Sequence, residues 1–193
     1  MKHTQEDEHL FIDSYFGNRT GTFLDIGSND GKTFSNTYAL GLRGWAGTAV
    51  EPVPGAFKKL QETVSGLQVQ CIEAAVTTFV GRTKFQVASD SLVSSLHAEA
   101  KDAWASHGFE WEEIEVAAID FPTLLGLSET KKFDFISIDA EGHDLEILRQ
   151  MDLKALGCQM LCIEHGGKQD EIKALCPGMK ELYNGGINLI LVR

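Results

Sequence analysis

Six short β-rich runs alternate with helical patterns along this chain, and that alternation constrains its fold more than any other feature. Thr22 to Ile26, Gly47 to Val50, Leu67 to Ile72, Phe133 to Ile138, Gln159 to Ile163 and Ile187 to Val192 read as strands. The first, fourth and fifth are nearly continuous apolar runs, as strands covered on both faces require. Phe34 to Leu42, Pro54 to Val64, Asp144 to Met151 and Gln169 to Leu175 carry helical spacing, with Pro54 suited to a first turn. A βαβ series of this kind predicts an α/β fold, a mostly parallel twisted sheet with helices on both faces. The end, KELYNGGINLILVR, reads as strand, Asn-Gly turn and strand, so an antiparallel C-terminal hairpin is expected. Thr83 to Val87 and Glu113 to Ala117 look like extra strands flanking SDSLVSSLHAEAKDAWASHGFEW, an insertion of the kind that often covers a site.

At 193 residues, with no repeat or Pro/Ser-rich linker, residues 1–193 are expected to form one domain. A 43% apolar content supplies a core, and a formal charge of −11 argues against phosphate-backbone binding, so nucleic acid is not an expected partner. Cys71, Cys158, Cys162 and Cys176 show neither a CxxC pair nor zinc spacing and read as reduced, partly buried thiols. MKHTQEDEHLF lacks a basic start followed by an apolar stretch, and no window reaches the ~18 apolar residues of a membrane span. The expectation is a cytoplasmic protein without a membrane partner.

FLDIGSNDGKTFSN, Phe23 to Asn36, is the strand-to-helix turn at which an open parallel sheet takes its ligand. Gly27 lets the backbone bend and a ligand approach, and Gly31 does the same or lets helix and strand pack closely. The spacing is DxGxxxG, without the GxGxxG that seats a pyrophosphate, and Asp25 and Asp30 stand where a phosphate would go. The same acids suit a cationic sulfonium and an amino group. Glu51, twenty residues after Gly31, ends the second strand where a carboxylate can accept both ribose hydroxyls. Adenosine with a sulfonium tail is S-adenosylmethionine. Asp25, Gly27, Ser28, Asn29, Asp30, Gly31, Glu51, Pro52 and Asp139 are therefore its candidate contacts.

With these residues in view, the chain resembles the FkbM family of S-adenosylmethionine-dependent methyltransferases over nearly its whole length. Gln5, Glu6, Asp7 and Leu10 resemble the family's opening QxED-type segment, FLDIGSNDGKTFSNTYAL its cofactor loop, and GWAGTAVEPVP its second strand with Glu51. SLVSSL, Ser91 to Leu96, resembles its serine-rich segment; FISIDAEGHDLEIL, Phe135 to Leu148, its IDxEG signature; and INLILVR its last strand. Ala140 stands where Val is commoner. The resemblance implies a Rossmann-like class I methyltransferase fold and, from characterised members, methyl transfer to a hydroxyl of a sugar, glycan or natural product.

IDAEGHD follows the fourth strand, so Asp139, Glu141 and His143 are expected at the same sheet edge as Asp25 and Glu51. An alcohol is a poor nucleophile until its proton is leaving, which calls for a general base. Asp139 is assigned to positioning, and Glu141 with His143 or His165 to proton handling. No resident metal is expected, although Asp139, Glu164 and His165 form an alternative divalent-ion set. Ser94, Ser95, Trp104 and Trp111 are read as turn and sheet-covering residues that could also line the cleft, and GFEWEEIE as a solvated strand face. Two other functions stay open: a non-catalytic S-adenosylmethionine-binding module, and a nicotinamide-dependent oxidoreductase, which the missing GxGxxG disfavours. N-acceptors also stay open, although no NPPY-type loop follows the fourth strand. The acceptor is expected to be a small molecule or glycan, and neither its identity nor the oligomeric state is legible.

Overall fold

The computed structural model describes residues 3–88 and 111–193. Its centre is a seven-stranded sheet built from β1 (Thr22–Ile26), β2 (Ala46–Val50), β3 (Val69–Ile72), β7 (Phe135–Ile138), β8 (Met160–Glu164), β9 (Lys180–Asn184) and β10 (Asn188–Val192). The order is β3-β2-β1-β7-β8-β10-β9. β3, β2, β1, β7 and β8 are parallel, and β10 runs antiparallel to both β8 and β9. The expected parallel sheet and C-terminal hairpin are both present. The chain builds outward from β1 through β2 to β3 and then returns to β7 on the other side of β1. The crevice outside the carboxyl ends of β1 and β7 is thus the switch point where such sheets bind ligands.

Side-chain alternation along the strands divides the core in two. Leu24, Ile26, Ile136, Ile138, Leu161 and Ile163 point to one face, where they meet Phe121 and Leu124 of α4 (Phe121–Leu127), Leu145, Ile147 and Leu148 of α5 (Asp144–Leu148), and Ile172 of α6 (Gln169–Leu175). Phe23, Phe135, Met160, Cys162 and Ile190 point to the other face. There they pack on Ile12 and Phe16 of α1 (Glu8–Phe16), Leu40 of α2 (Tyr38–Leu42), and Trp45. Ala49 packs beside them on Leu60 of α3 (Pro54–Thr63). Helices cover both faces, which is why β1, β7 and β8 read as apolar runs.

A second, three-stranded sheet orders β4 (Ala75–Thr77), β6 (Trp111–Asp120) and β5 (Gly81–Ala88) as β4-β6-β5. β5 and β6 pair antiparallel, with Phe85 opposite Ile114, so the two strands expected around the insertion pair with each other. Glu112, Glu113 and Glu115 are exposed while Val116 is buried, the half-solvated face expected of GFEWEEIE. The four cysteines are free, and three of them are buried. Among the described residues no helix is long and apolar enough to cross a membrane.

The structure departs from the sequence reading at α2, which starts at Tyr38 rather than Phe34. Phe34 has φ of 56°, incompatible with a helix, and the Ser35 Oγ accepts the Thr37 and Tyr38 N–H groups instead. α1, β4 and α4 were not anticipated. α4 carried a readable start, since Asp120 accepts the Thr123 N–H as an N-cap with Pro122 in the first turn.

Gly27 joins β1 to the switch point at a φ of 85°, and a Cβ there would lie 1.7 Å from the Asp139 carbonyl oxygen. Two obstacles therefore act at one position, a left-handed backbone and a clash with main chain that cannot rotate away. Gly44, at a φ of 86° with nothing within 4 Å, has only the first. Thermal denaturation should show Gly44→Ala losing about 1–2 kcal/mol, and Gly27→Ala losing roughly 3 kcal/mol or more.

Candidate active site

Four of the five parallel strands, β1, β2, β7 and β8, deliver a carboxylate to the switch point or its rim. Glu51, one residue beyond β2, is 6% exposed. Its Oε2 accepts the Asn29 N–H at 2.9 Å and its Oε1 the Val53 N–H at 2.8 Å, so it ties the β1 loop to the start of α3. Burial pushes its carboxyl up to about 7 despite those two donors, and the Asp25 charge adds to the rise. Asp25, on β1 and equally buried, accepts the Thr37 hydroxyl at 2.6 Å, and burial pushes it up to about 6.

Beyond β7, the IDAEG turn bends through Glu141 at φ of 51° and Gly142 at φ of 97°. Asp144 holds the turn, accepting the Ala140 N–H at 2.8 Å and the Gly142 N–H at 3.0 Å. Burial, then the charges of Glu164 and Asp144, push Glu141 up to about 8. Asp144 rises to about 7 through burial and the charge of Glu164. Asp139 is raised well above the carboxylate range by burial and by the charges of Glu164, Glu141, Asp144 and Asp25. Glu164, ending β8, is raised by its own burial. One carboxylate oxygen from each of Asp139, Asp144 and Glu164 falls within 4.8 Å of the others. Such a group is stable unliganded only when it keeps protons.

A cavity of about 500 Å³ connects Asp25, Glu51, Asp139, Glu141 and Glu164. Asp25, Gly27, Ser28, Asn29, Glu51, Pro52, Asp139 and Glu141 all line it, so most of the residues expected from the sequence come together. Two cofactor-loop residues do not. Asp30 closes its own turn, accepting the Lys32 and Thr33 N–H groups and the Thr33 hydroxyl; these bonds outweigh its partial burial and hold it below its usual range. Gly31 faces α3, where a Cβ would lie 2.6 Å from Leu60 Cδ1, which is the helix-packing use of that glycine.

Neither histidine lines the cavity. His165 is 8% exposed; its Nδ1 accepts the Gly167 N–H at 3.0 Å and its Nε2–H donates to the Gly185 carbonyl at 3.2 Å. Both ring nitrogens bond backbone, so the structure does not bring His165, expected in proton handling and in the alternative metal set, into the cavity wall. His143 is the N-terminal flank of α5, directly after the IDAEG turn, and does not line the cavity. Trp111 begins β6 away from the cavity, and Ser94, Ser95 and Trp104 lie outside the described residues.

The cavity also uses residues that the sequence reading left without a role. Ala74, Ala75 and Val76, with Phe85, form an apolar wall next to Glu51 and Pro52. Gln5, Phe34, Ser35 and Asn36 close the opposite side with Ser137 and Ile187. Ser137 had a signal, as the one polar residue in the buried strand FISI; the small apolar residues after β3 had none.

The donor set fits S-adenosylmethionine. Glu51 keeps lone pairs for a ribose diol, the Ala74–Val76 wall suits a planar base, and the acids favour a sulfonium. One buried acceptor in the cavity wall, Asn36 Oδ1, has no partner among the described residues and calls for a donor from a ligand.

Comparison with known proteins agrees. The ribosomal protein L11 methylase from Lactobacillus delbrueckii subsp. bulgaricus superposes with a TM-score of 0.52 at 14% identity, covering 96% of this chain and 77% of that one, and so shares the fold. A TehB-like SAM-dependent methyltransferase from Corynebacterium glutamicum aligns over 98% of this chain and 88% of its own at 11% identity and a TM-score of 0.49. No curated protein sequence matches the chain. The methyltransferase FkbM domain profile matches residues 25–184, from the acid of β1 to the end of β9. The chain therefore belongs to the FkbM family of S-adenosylmethionine-dependent methyltransferases, with S-adenosylmethionine as its cofactor.

Proposed function

We propose that this methyltransferase acts on a hydroxyl of a small hydroxylated acceptor (a sugar, glycan or natural product) and that Glu141 accepts the hydroxyl proton. The observation that carries this reading is the placement of Glu141 in the cavity wall with its carboxyl pushed up to about 8. A base poised near working pH both takes and releases a proton readily. Its φ of 51°, costly for a side chain with a Cβ, is strain of the kind found where a group must be aimed.

When bound, S-adenosylmethionine supplies an electrophilic methyl on a cationic sulfur. Glu51 would hold the ribose hydroxyls, and the Ala74–Val76 wall the base. Asp139 and Glu164, at the ends of β7 and β8, would position the acceptor hydroxyl and keep water from competing for it. A nearby cation favours the ionised form of each acid, so loading the site moves Glu141 toward its basic form. The balance would then be one methyl from the cofactor to the acceptor oxygen, with S-adenosylhomocysteine as the leaving group, and one hydroxyl proton to Glu141.

Incubation with S-adenosylmethionine and a panel of sugars, polyols, amino sugars and amino alcohols, read by mass spectrometry and NMR, should give an O-methyl product. Methyl found only on nitrogen would overturn the hydroxyl assignment. With that acceptor in hand, Glu141→Gln should lower kcat about a hundredfold or more while S-adenosylhomocysteine still binds. Unchanged turnover would remove Glu141 from the proton path.

The same acids set how stability depends on pH. Their folded values lie above the unfolded ones, so their contribution is complete below about pH 4 and is lost as pH rises through about 7 to 8. Each unit of raised pKa corresponds to about 1.4 kcal/mol. The unliganded protein should melt at lower temperature at about pH 8.5 than at about pH 6. Glu141→Gln should narrow that difference by raising the melting temperature on the alkaline side.

A further inference from the structure

The loop between β1 and α2 holds a buried acceptor that the fold leaves unused. Phe34, 47% exposed and at φ of 56°, bends the chain in the left-handed region. The bend carries Ser35 back onto the Thr37 and Tyr38 N–H groups and sets Asn36 over β7 and β8. Asn36 Nδ2 donates to Ser137 Oγ at 3.2 Å and toward Cys162 Sγ at 3.5 Å, which fixes the plane of the amide. Its Oδ1 is buried in the cavity wall with no partner among the described residues. A carbonyl oxygen so placed is costly unless something donates to it.

We propose that Asn36 Oδ1 receives the ammonium group at the methionyl end of the cofactor, an inference that rests on S-adenosylmethionine being the ligand of this cavity. Glu51 lies at the end of β2, and Asn36 reaches the far side of β1, over β7 and β8. A ligand whose ribose is held at Glu51 presents its amino-acid end on that far side. Charge selects the ammonium over the carboxylate: Asp25 and Ser137 are register partners on β1 and β7, and Asp25 bonds Thr37, the residue after Asn36. A carboxylate brought beside Asp25 would be repelled, whereas an ammonium supplies the donor that Oδ1 lacks. Asn36 on this account is a contact for one end of the ligand, and the strain at Phe34 is what aims it.

Calorimetric titration with S-adenosylhomocysteine and 5′-methylthioadenosine tests this, because the second shares the adenosine and thioether of the first but has no amino-acid end. In Asn36→Leu, S-adenosylhomocysteine should bind about tenfold or more weakly, with 5′-methylthioadenosine unchanged. Retained binding of the second ligand also shows that the variant is folded. Asn36→Asp, which keeps an acceptor oxygen, should retain S-adenosylhomocysteine. Equal losses on both ligands in Asn36→Leu, or no loss on either, would overturn the assignment. So would a selective loss of S-adenosylhomocysteine in Asn36→Asp, since the amide would then be a donor to the carboxylate. Wild-type protein that binds neither ligand would instead overturn the cofactor reading beneath it.

Discussion

Four strand ends bring buried or half-buried carboxylates to one crevice, and their shared difficulty in ionising governs the site. Asp25, Glu51, Asp139 and Glu164 belong to β1, β2, β7 and β8, or to the residue just beyond. A parallel sheet points all its carboxyl ends the same way, so acids at those positions converge whatever the loops do. Burial raises each of them, and neighbouring negative charge raises Glu51 and Asp139 further. Unliganded, the site holds protons at pH values where free carboxylates have already lost them. A cation in the cavity reverses the balance, because attraction in a partly desolvated space then favours the charged forms. Under the proposed role of Glu141, cofactor binding and readiness of the base are in this way one electrostatic event.

The frame around the crevice is held by interactions of a different kind. Glu8, fully buried in α1, accepts the Asn188 side-chain N–H and the Glu6 N–H. Glu6 accepts the Gly186 and Ile187 N–H groups of the β9–β10 turn. The segment before α1 is thus fastened to the hairpin, and a Thr4 bridge to Phe34 joins it to the cofactor loop. Gln5 is held in the cavity wall between those two fastenings.

Much of this was legible in the sequence, for physical reasons that name their own limits. Continuous apolar runs identified β1, β7 and β8 because those strands are covered on both faces, and strand-end position placed Asp25, Glu51, Asp139 and Glu141 at one edge. What a strand-end residue does there depends on local turn geometry, which spacing does not reveal. Asp30 has the charge for a cofactor contact, but the N–H groups of Lys32 and Thr33 capture it. His165 has the chemistry of a base, but the turn through Gly166 and Gly167, at φ of 48° and 80°, folds backbone onto its ring. Gly27 was read as making room for a ligand, and the structure shows that the Asp139 carbonyl also requires that room. Asn36 carries no such signal in the sequence, because an unsatisfied oxygen exists only once the loop is folded.

The coupling between cofactor charge and the acids is tested most directly by counting protons. Calorimetric titration near pH 7 in buffers of different ionisation enthalpy gives the protons released when S-adenosylmethionine binds and when S-adenosylhomocysteine binds. The two ligands differ by the methyl and the positive charge that it places on sulfur. If the sulfonium drives the acids to ionise, S-adenosylmethionine will release more protons than S-adenosylhomocysteine. Equal release for the two would contradict the coupling and leave the raised acids as a feature of the empty fold alone.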